Sequence, residues 1–473
     1  MGLAQSATFR DGVVCLSKMI SYNKKIEYIV RHKNNYLLHT LLPLCAYPHS
    51  FLSKEKFIQE ARENADINED FDLYVHVPFC RRKCRFCHTR NRIAVENEVN
   101  VYPNSLIKDF VDFGKAFSDL KLRNLWIGGG TPNIFTNDSL EGLFQSLFSS
   151  FKFRARGSYK TIELHPDLLS EQQIDLIKDS GFTDISIGAQ SLNKTVLSDM
   201  RRDSSKIKNT KRLISYAMKK GFNEVNCDLV IFTRKDSLQF FMRSLSGLIK
   251  LKPDMITIFP LQLPGDYNYL AGTELSRLDF YKKTEKLFYA YASVIEKLAK
   301  RNGYRVFNGA NYTPSLYIVR KGKQYNIAKY QPFPYQRRSI LAFGHNARGN
   351  IYGKLIYDTE YLYEGPIKGY SKRYRVIKIK ERDELLYHLF ASFDTFGRIN
   401  LSKMDKMFNI NSREYFKNEF KYLFQNEILA RDKDTVIVKE KSRIKVFANM
   451  LLFLDKDEID RLYAYEYNQQ KFL

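Results

Sequence analysis

The stretch Leu73-Tyr-Val-His-Val-Pro-Phe-Cys80-Arg-Arg-Lys-Cys84-Arg-Phe-Cys87 joins two patterns. Its first five residues read as a β-strand. The rest is a loop in which three cysteines crowd into eight positions. Thiolates are preferred ligands of zinc and of iron–sulfur clusters. Spacings of three and two let one loop turn all three sulfurs toward a compact centre. The flanking Arg81, Arg82, Lys83 and Arg85 would offset negative charge and lower the cysteine pKa values. Two alternatives stay open: a zinc site closed by His88 or a distant ligand, and three unligated cysteines. Zinc motifs usually pair two CxxC knuckles. A cubane held by three ligands leaves one iron open, which a catalytic centre needs.

Working outward, strand-like runs alternate with helix-like ones from residue 72 to about 300. After Leu73–Val77 come a helix from about Ser105 to Asp119 and a strand Asn124–Ile127 running into Gly128-Gly-Gly130. A helix follows Asp138 as N-cap. Next are the strand Thr161–Leu164, a helix after Ser170, the strand Asp184–Ile187 and a helix Lys206–Lys220 closed by Gly221. Glu224–Ile231, a helix over Ser237–Lys250, Met255–Phe259 and a long helix Arg277–Lys300 complete six βα units. The fold class is therefore α/β, a partial (β/α)6 barrel, with chemistry expected at the C-terminal ends of its strands. Residues 1–70 read as an N-terminal extension, 71–300 as the barrel and 301–375 as an irregular or β-rich connector. Residues 376–473 read as a small winged-helix-like α+β domain: helices over Glu384–Phe390, Leu401–Phe408 and Ser412–Gln425, then a hairpin around Asp432-Lys-Asp434.

The 473 residues carry 76 Lys+Arg against 52 Asp+Glu, a net charge of +24. That balance favours acidic partners: nucleic acid, an anionic surface or an acidic small molecule. Cys15, Cys45 and Cys227 are scattered and read as ordinary thiols, so a disulfide scaffold is excluded and a reducing, cytoplasmic setting is expected. The N-terminus has no secretory pattern, and Tyr36–Leu52 is too interrupted to span a membrane.

The CxxxCxxC loop after a first barrel strand resembles the radical S-adenosylmethionine (SAM) superfamily. Tyr74-Val-His-Val-Pro-Phe-Cys80, Trp126-Ile-Gly-Gly-Gly-Thr-Pro132 and Ile187-Gly-Ala-Gln-Ser191 resemble, more narrowly, the oxygen-independent coproporphyrinogen III oxidase branch, which includes heme chaperones, methyltransferases and cyclopropanases. The resemblance implies that Cys80, Cys84 and Cys87 hold a [4Fe–4S] cluster and that SAM is cleaved to methionine and a 5′-deoxyadenosyl radical. A second SAM binds in many such enzymes. Gly128, Gly129, Gly130 and Thr131 would receive the methionyl group, and Tyr74 would steady it. Glu163 would bind SAM; Gln190, Arg202 and Asp228 would hold its ribose or carboxylate. Phe259 would flank the adenine. Each has a plainer reading, from a tight turn for the glycines to core packing for Tyr74 and Phe259, or a buried salt bridge for Asp228. His76, His88 and His165 read as supporting residues.

The resemblance further implies an oxidoreductase or transferase of porphyrin biosynthesis or a related route. Its substrate would be an acidic or planar small molecule such as a tetrapyrrole, its electron donor a flavodoxin or ferredoxin. A heme or cluster carrier on the same fold is the non-enzymatic alternative, and nucleic acid is less favoured. Three departures matter. Thr89 stands where the oxidase carries a fourth cysteine, Phe232-Thr-Arg234 replaces Gly-Leu-Pro, and a later Gly-Ala segment survives as Phe343-Gly-His-Asn-Ala347. They touch the decarboxylation and leave the SAM machinery intact.

Overall fold

The computed structural model describes residues 48–87, 89–261, 277–308, 316–323, 337–439 and 449–454. Cys15, Cys45, His88 and most of the expected N-terminal extension lie outside them. The described end of that extension forms β1 (His49–Ser53) and α1 (Lys54–Asn64). The six βα units follow: β2 (Asp70–Val77) and α2 (Glu96–Ala116); β3 (Lys121–Gly129) and α3 (Asn137–Ser150); β4 (Lys160–Leu164) and α4 (Glu171–Asp179). Then come β5 (Asp184–Gln190) and α5 (Ile207–Lys219); β6 (Glu224–Ile231) and α6 (Leu238–Ile249); β7 (Met255–Pro260) and α7 (Arg277–Arg301).

Local chemistry sets most boundaries. Ser170 and Ser237 cap α4 and α6 by accepting from the N–H of Gln173 and Phe240. The cap of α3 is Thr136, not Asp138: the Thr136 side chain accepts from Ser139 N, and Asp138 lies inside the first turn. Gly221 takes φ +71° beyond α5, the left-handed conformation expected of it. Helix α2 starts well before Ser105 and carries Pro103 within it. Tyr102 and Leu106 beside that proline are fully buried, so tertiary packing outweighs the missing N–H.

The described residues from 304 to 378 form regular strands. They give β8 (Tyr304–Asn308), β9 (Leu316–Arg320), β10 (Arg338–Phe343), β11 (Arg348–Ile351), β12 (Leu355–Tyr363) and β13 (Tyr370–Lys378). All join one sheet, which has 14 strands among the described residues. Its order is β1-β13-β12-β11-β10-β2-β3-β4-β5-β6-β7-β9-β8, with the short Lys152–Phe153 beside β3. From β10 through β7 every pairing is parallel. Apart from Lys152–Phe153, which pairs parallel with β3, the strands outside these run antiparallel. The partial barrel thus gains a seventh parallel strand, β10, against β2.

Side chains alternate across a strand, so each strand serves two faces. Leu73, Val75, Ile127, Ile162, Ile185 and Ile258 point into a core shared with Phe110, Phe113, Leu147 and Leu213 of the helices. Residues of the opposite parity, including Tyr74, Trp126, Glu163, Ser186, Asp228 and Thr257, line a single cavity of about 700 Å³. The fold therefore collects inward side chains from all seven parallel strands at one place.

The C-terminal segment has a core of its own. It contains α8 (Glu381–Phe396), β14 (Arg398–Asn400), α9 (Leu401–Phe408), α10 (Ser412–Tyr415), α11 (Lys417–Gln425), β15 (Leu429–Asp432) and β16 (Thr435–Val438). The expected third helix is broken at Phe416, and β14 adds an unforeseen third strand to the hairpin. No helix among the described residues is long and apolar enough to cross a membrane.

Candidate active site

Cys80, Cys84 and Cys87 all line the cavity. Each sulfur faces a donor. Thr131 Oγ1 lies 3.4 Å from Cys80 Sγ, Arg202 Nε 3.1 Å from Cys84 Sγ, and Asn91 Nδ2 3.2 Å from Cys87 Sγ. Among the described residues no three His, Cys, Asp or Glu side chains converge on a single-ion position. The flanking cations do not lower the Cys80 pKa as expected; burial pushes that thiol up to about 11. Two of these cations are engaged elsewhere: Arg85 with Asp199 at 2.9 Å, and Lys83 with Asn91 Oδ1 at 2.7 Å.

The glycine loop is dictated by its own neighbours. Gly129 adopts φ +103°, and a Cβ there would lie 2.5 Å from the His76 ring. A Cβ on Gly130 would lie 2.7 Å from the Val77 carbonyl oxygen. Gly129, Gly130 and Thr131 line the cavity. Gly128 is buried behind it, where a Cβ would lie 2.5 Å from Glu163 Oε2.

Two half-buried carboxyls face the cavity. Glu163 accepts from Trp126 Nε1 at 3.0 Å and from Gly129 N at 3.3 Å. Burial, then the charge of Asp228, raises its pKa to about 7. Asp228 accepts from Asn226 Nδ2 at 2.7 Å and Ser186 Oγ at 3.1 Å. Burial raises it to about 6, against the opposing pull of these bonds and of Arg202. Asp228 thus takes its hydrogen bonds from an amide and a hydroxyl, in place of the salt bridge weighed from sequence. Thr257 Oγ1 in turn donates to Asn226 Oδ1 at 2.9 Å.

The other expected residues meet on the same walls. Tyr74 OH donates to His76 Nδ1 at 2.7 Å, because His76 Nε2 is 3.0 Å from the Arg90 carbonyl and must carry the proton. Burial holds the His76 pKa down at about 4, so this tautomer is neutral. Arg202 also donates to the Gly188 carbonyl at 3.1 Å. Gln190, at φ +63°, turns into the cavity and its buried Oε1 has no hydrogen-bond partner among the described residues. Phe259 is 40% exposed, the only exposed position on β7. A core phenylalanine would be covered; this one presents an open apolar face to the cavity. His165 lines the cavity too, its backbone held on both sides by Asn133.

Sequence reasoning missed Asn226, Ser186 and Thr257, the pair Asp72–Arg338 (2.5 Å), and Arg348 on the cavity wall. Strand parity would have found the first three, since each shares the inward phase of Glu163 or Asp228.

Residues 74–241 match the model of the Radical SAM superfamily. The chain carries a radical SAM domain. Members of this family bind a [4Fe–4S] cluster and SAM. The residues present fit both: three cavity-facing sulfurs, a buried amide oxygen with no partner among the described residues, and two carboxyls on the cavity wall with acceptor capacity to spare. The chain is 22% identical to the heme chaperone HemW of Lactococcus lactis over 78% of its length and 93% of the relative's. It is 27% identical to the oxygen-independent coproporphyrinogen III oxidase of Escherichia coli over 45% of this chain and 47% of the relative. The Helicobacter pylori oxidase is 22% identical over 80% of this chain and 85% of that one. The solved structure of the E. coli oxidase superposes with a TM-score of 0.68 at 21% identity, covering 87% of this chain and 96% of that one. The fold shared with that oxidase therefore reaches beyond residues 74–241.

Proposed function

We propose that this radical SAM protein is an enzyme acting on an acidic small molecule, with a propionate-bearing tetrapyrrole as the best-fitting class. The observation that carries the reading is convergence: three cysteine sulfurs, a glycine loop and two protonatable carboxyls share one cavity. Cys80, Cys84 and Cys87 would hold the cluster, which when bound supplies the electron that splits SAM into methionine and a 5′-deoxyadenosyl radical. Gly129, Gly130 and Thr131 would let the methionyl end approach the backbone closely, their N–H groups being held by Glu163, Val77 O and Phe79 O, with Gly128 keeping room for Glu163. Glu163 and Asp228 would take SAM's cationic and hydroxyl groups, Arg202 and Gln190 its remaining polar atoms, and Tyr74 and Phe259 its apolar flanks.

The substrate class is supported by charge. Asp358 is surrounded by Arg90, Arg348 and Arg375, three guanidiniums against one carboxylate. Arg348 gives Nε and Nη2 to Asp358 and also lines the cavity, as does Arg82. Such surplus positive charge favours an anion at that wall. A flavodoxin- or ferredoxin-type reductant would serve as donor. Oxidative decarboxylation of propionates and methyl transfer both use this machinery. The near full-length match to a heme chaperone supports a second reading, a heme carrier.

The test is anaerobic reconstitution with iron and sulfide, then SAM and reductant. Formation of 5′-deoxyadenosine is expected, and coproporphyrinogen III tests for carbon dioxide release. Intact cluster-loaded protein that makes no 5′-deoxyadenosine with any candidate substrate, yet binds heme stoichiometrically, would establish the carrier instead.

A further inference from the structure

Cys87 differs from its two companions in what surrounds its sulfur. Lys83 Nζ donates to Asn91 Oδ1 at 2.7 Å, which fixes the oxygen end of that amide. Asn91 Nδ2 then has two N–H groups to give. One reaches Thr89 Oγ1 at 2.6 Å and the other Cys87 Sγ at 3.2 Å. Thr89 Oγ1, already accepting from Asn91, is left to aim its own O–H at Cys87 Sγ, 3.0 Å away. Lys83 is held over this group by the carbonyls of Thr89 and Asn91 at 3.3 and 3.4 Å. The donors run in one direction, from a cation through an amide and a hydroxyl to a sulfur. Cys80 and Cys84 each show one such side-chain donor.

We infer that Lys83, Asn91 and Thr89 form a hydrogen-bond relay that ends on the Cys87 sulfur and raises the reduction potential of the cluster. The inference rests on the proposal that Cys87 is a cluster ligand. A hydrogen bond to a ligating sulfur draws off electron density and favours the more negative, reduced cluster. Bonds aligned in a chain polarise one another, and the lysine charge sits at the donor end. Residue 89 carries a hydroxyl, not a thiol. A thiol is a weaker donor than a hydroxyl, so the threonine is the residue that completes the relay. Thr89, Asn91 and Lys83 act through Cys87 and are positioning residues.

The test uses the full chain, reconstituted anaerobically, with iron and sulfide content measured and the midpoint read by EPR-monitored redox titration. The double variant Thr89→Val/Asn91→Leu should titrate at a lower potential. At the parent's midpoint its ratio of reduced to oxidised cluster should fall about three- to tenfold. Thr89→Ser retains the donor and should restore the parent midpoint. Lys83→Met touches no sulfur; it should shift the midpoint the same way by less, and the shift should persist in high salt, where a bare exposed charge is screened. A double variant with the parent's iron content and an unchanged midpoint overturns the relay. If that variant loses its cluster, an unmoved midpoint in Lys83→Met overturns it instead. A parent chain that holds no cluster overturns both the relay and the proposed function, whereas a loaded parent with an unresponsive midpoint removes the relay alone.

Discussion

Glu163 and Asp228 make the ligand-free protein sensitive to pH in an unusual direction. Both carboxyls titrate higher in the folded chain than in the unfolded one, Glu163 at about 7 and Asp228 at about 6, because burial disfavours their charge. The folded state therefore holds more protons between the two sets of values, and stability falls as pH rises from near 4 through about 7. Glu163→Gln removes that loss. The ligand-free variant is expected to melt above the parent at about pH 8 and to converge with it near pH 5. The Glu163 shift, from 4.5 to about 7, bounds the gain at about 3 kcal/mol, and the mutual repulsion with Asp228 makes the observed value smaller. The same substitution should weaken SAM binding in calorimetry, since it removes the negative charge offered to the ligand. Parallel melting curves at both pH values would refute the assignment. Of the cysteines, replacing Cys80, Cys84 or Cys87 singly with alanine is expected to abolish stable iron loading, while Cys227→Ala should leave it intact. Cys227 is fully buried on the core-facing side of β6, so its loss costs packing alone.

Turns carry as much of the site as strands do. Gly344, following β10, adopts φ +99°, and a Cβ there would collide with the His76 carbonyl and lie 2.7 Å from the Tyr102 hydroxyl. That hydroxyl donates to His76 O at 3.0 Å and accepts from His345 N at 2.8 Å, tying β10, β2 and α2 together. Gly344→Ala should cost roughly 2–4 kcal/mol from backbone strain and displaced neighbours, read as a fall in melting temperature. Gly142→Ala in α3 is the control: no atom lies within 4 Å of the added Cβ, and helix propensity should gain up to about 1 kcal/mol. β2 to β7 were legible because apolar runs recur between helix-like segments. β10 was not, because its partner β2 is remote in the chain and a pairing of that range leaves no local pattern. The polar ring of Asn226, Ser186 and Thr257 was hidden for a related reason. Polar residues weaken a strand's signature, and only their shared parity across three strands reveals a lined cavity. The three cysteines, the glycine loop, Glu163 and Asp228 could be placed because each sits at or near a strand's C-terminal end. Thr131 and Arg202 were placed at the site but not as donors to sulfur, and Asn91 was not placed at all, since it comes from a loop whose folding no spacing records.

The sheet and the C-terminal segment differ in how they are held, and that difference predicts where the chain can be cut. β10 lies between β2 and β11, so the parallel sheet and its antiparallel extension are joined through one strand. Arg338 of β10 pairs with the half-buried Asp72 at 2.5 Å, and Tyr357 of β12 donates to Ile340 O and accepts from Ala342 N. Ending the chain at residue 336 would strip β2 of its neighbour, take the Arg338 cation from Asp72 and expose Phe57, which stacks on Tyr374 with ring centroids 4.1 Å apart. An unpaired edge, a poorly compensated half-buried carboxylate and an uncovered aromatic cluster each cost on the order of kcal/mol. Ending it at residue 380 removes a segment with a separate apolar core. That cut breaks the bond from Gly353 N to Glu384 Oε1 at 3.1 Å and takes His388 away from the edge of Tyr352. The longer truncate is therefore expected to melt cooperatively and to load iron as the full chain does. The shorter one is expected to aggregate or melt without cooperativity and to hold no cluster. Circular dichroism melting with iron content on both truncates decides the matter. A folded, iron-loaded chain ending at 336 would show that the six βα units suffice and that β10 only decorates them.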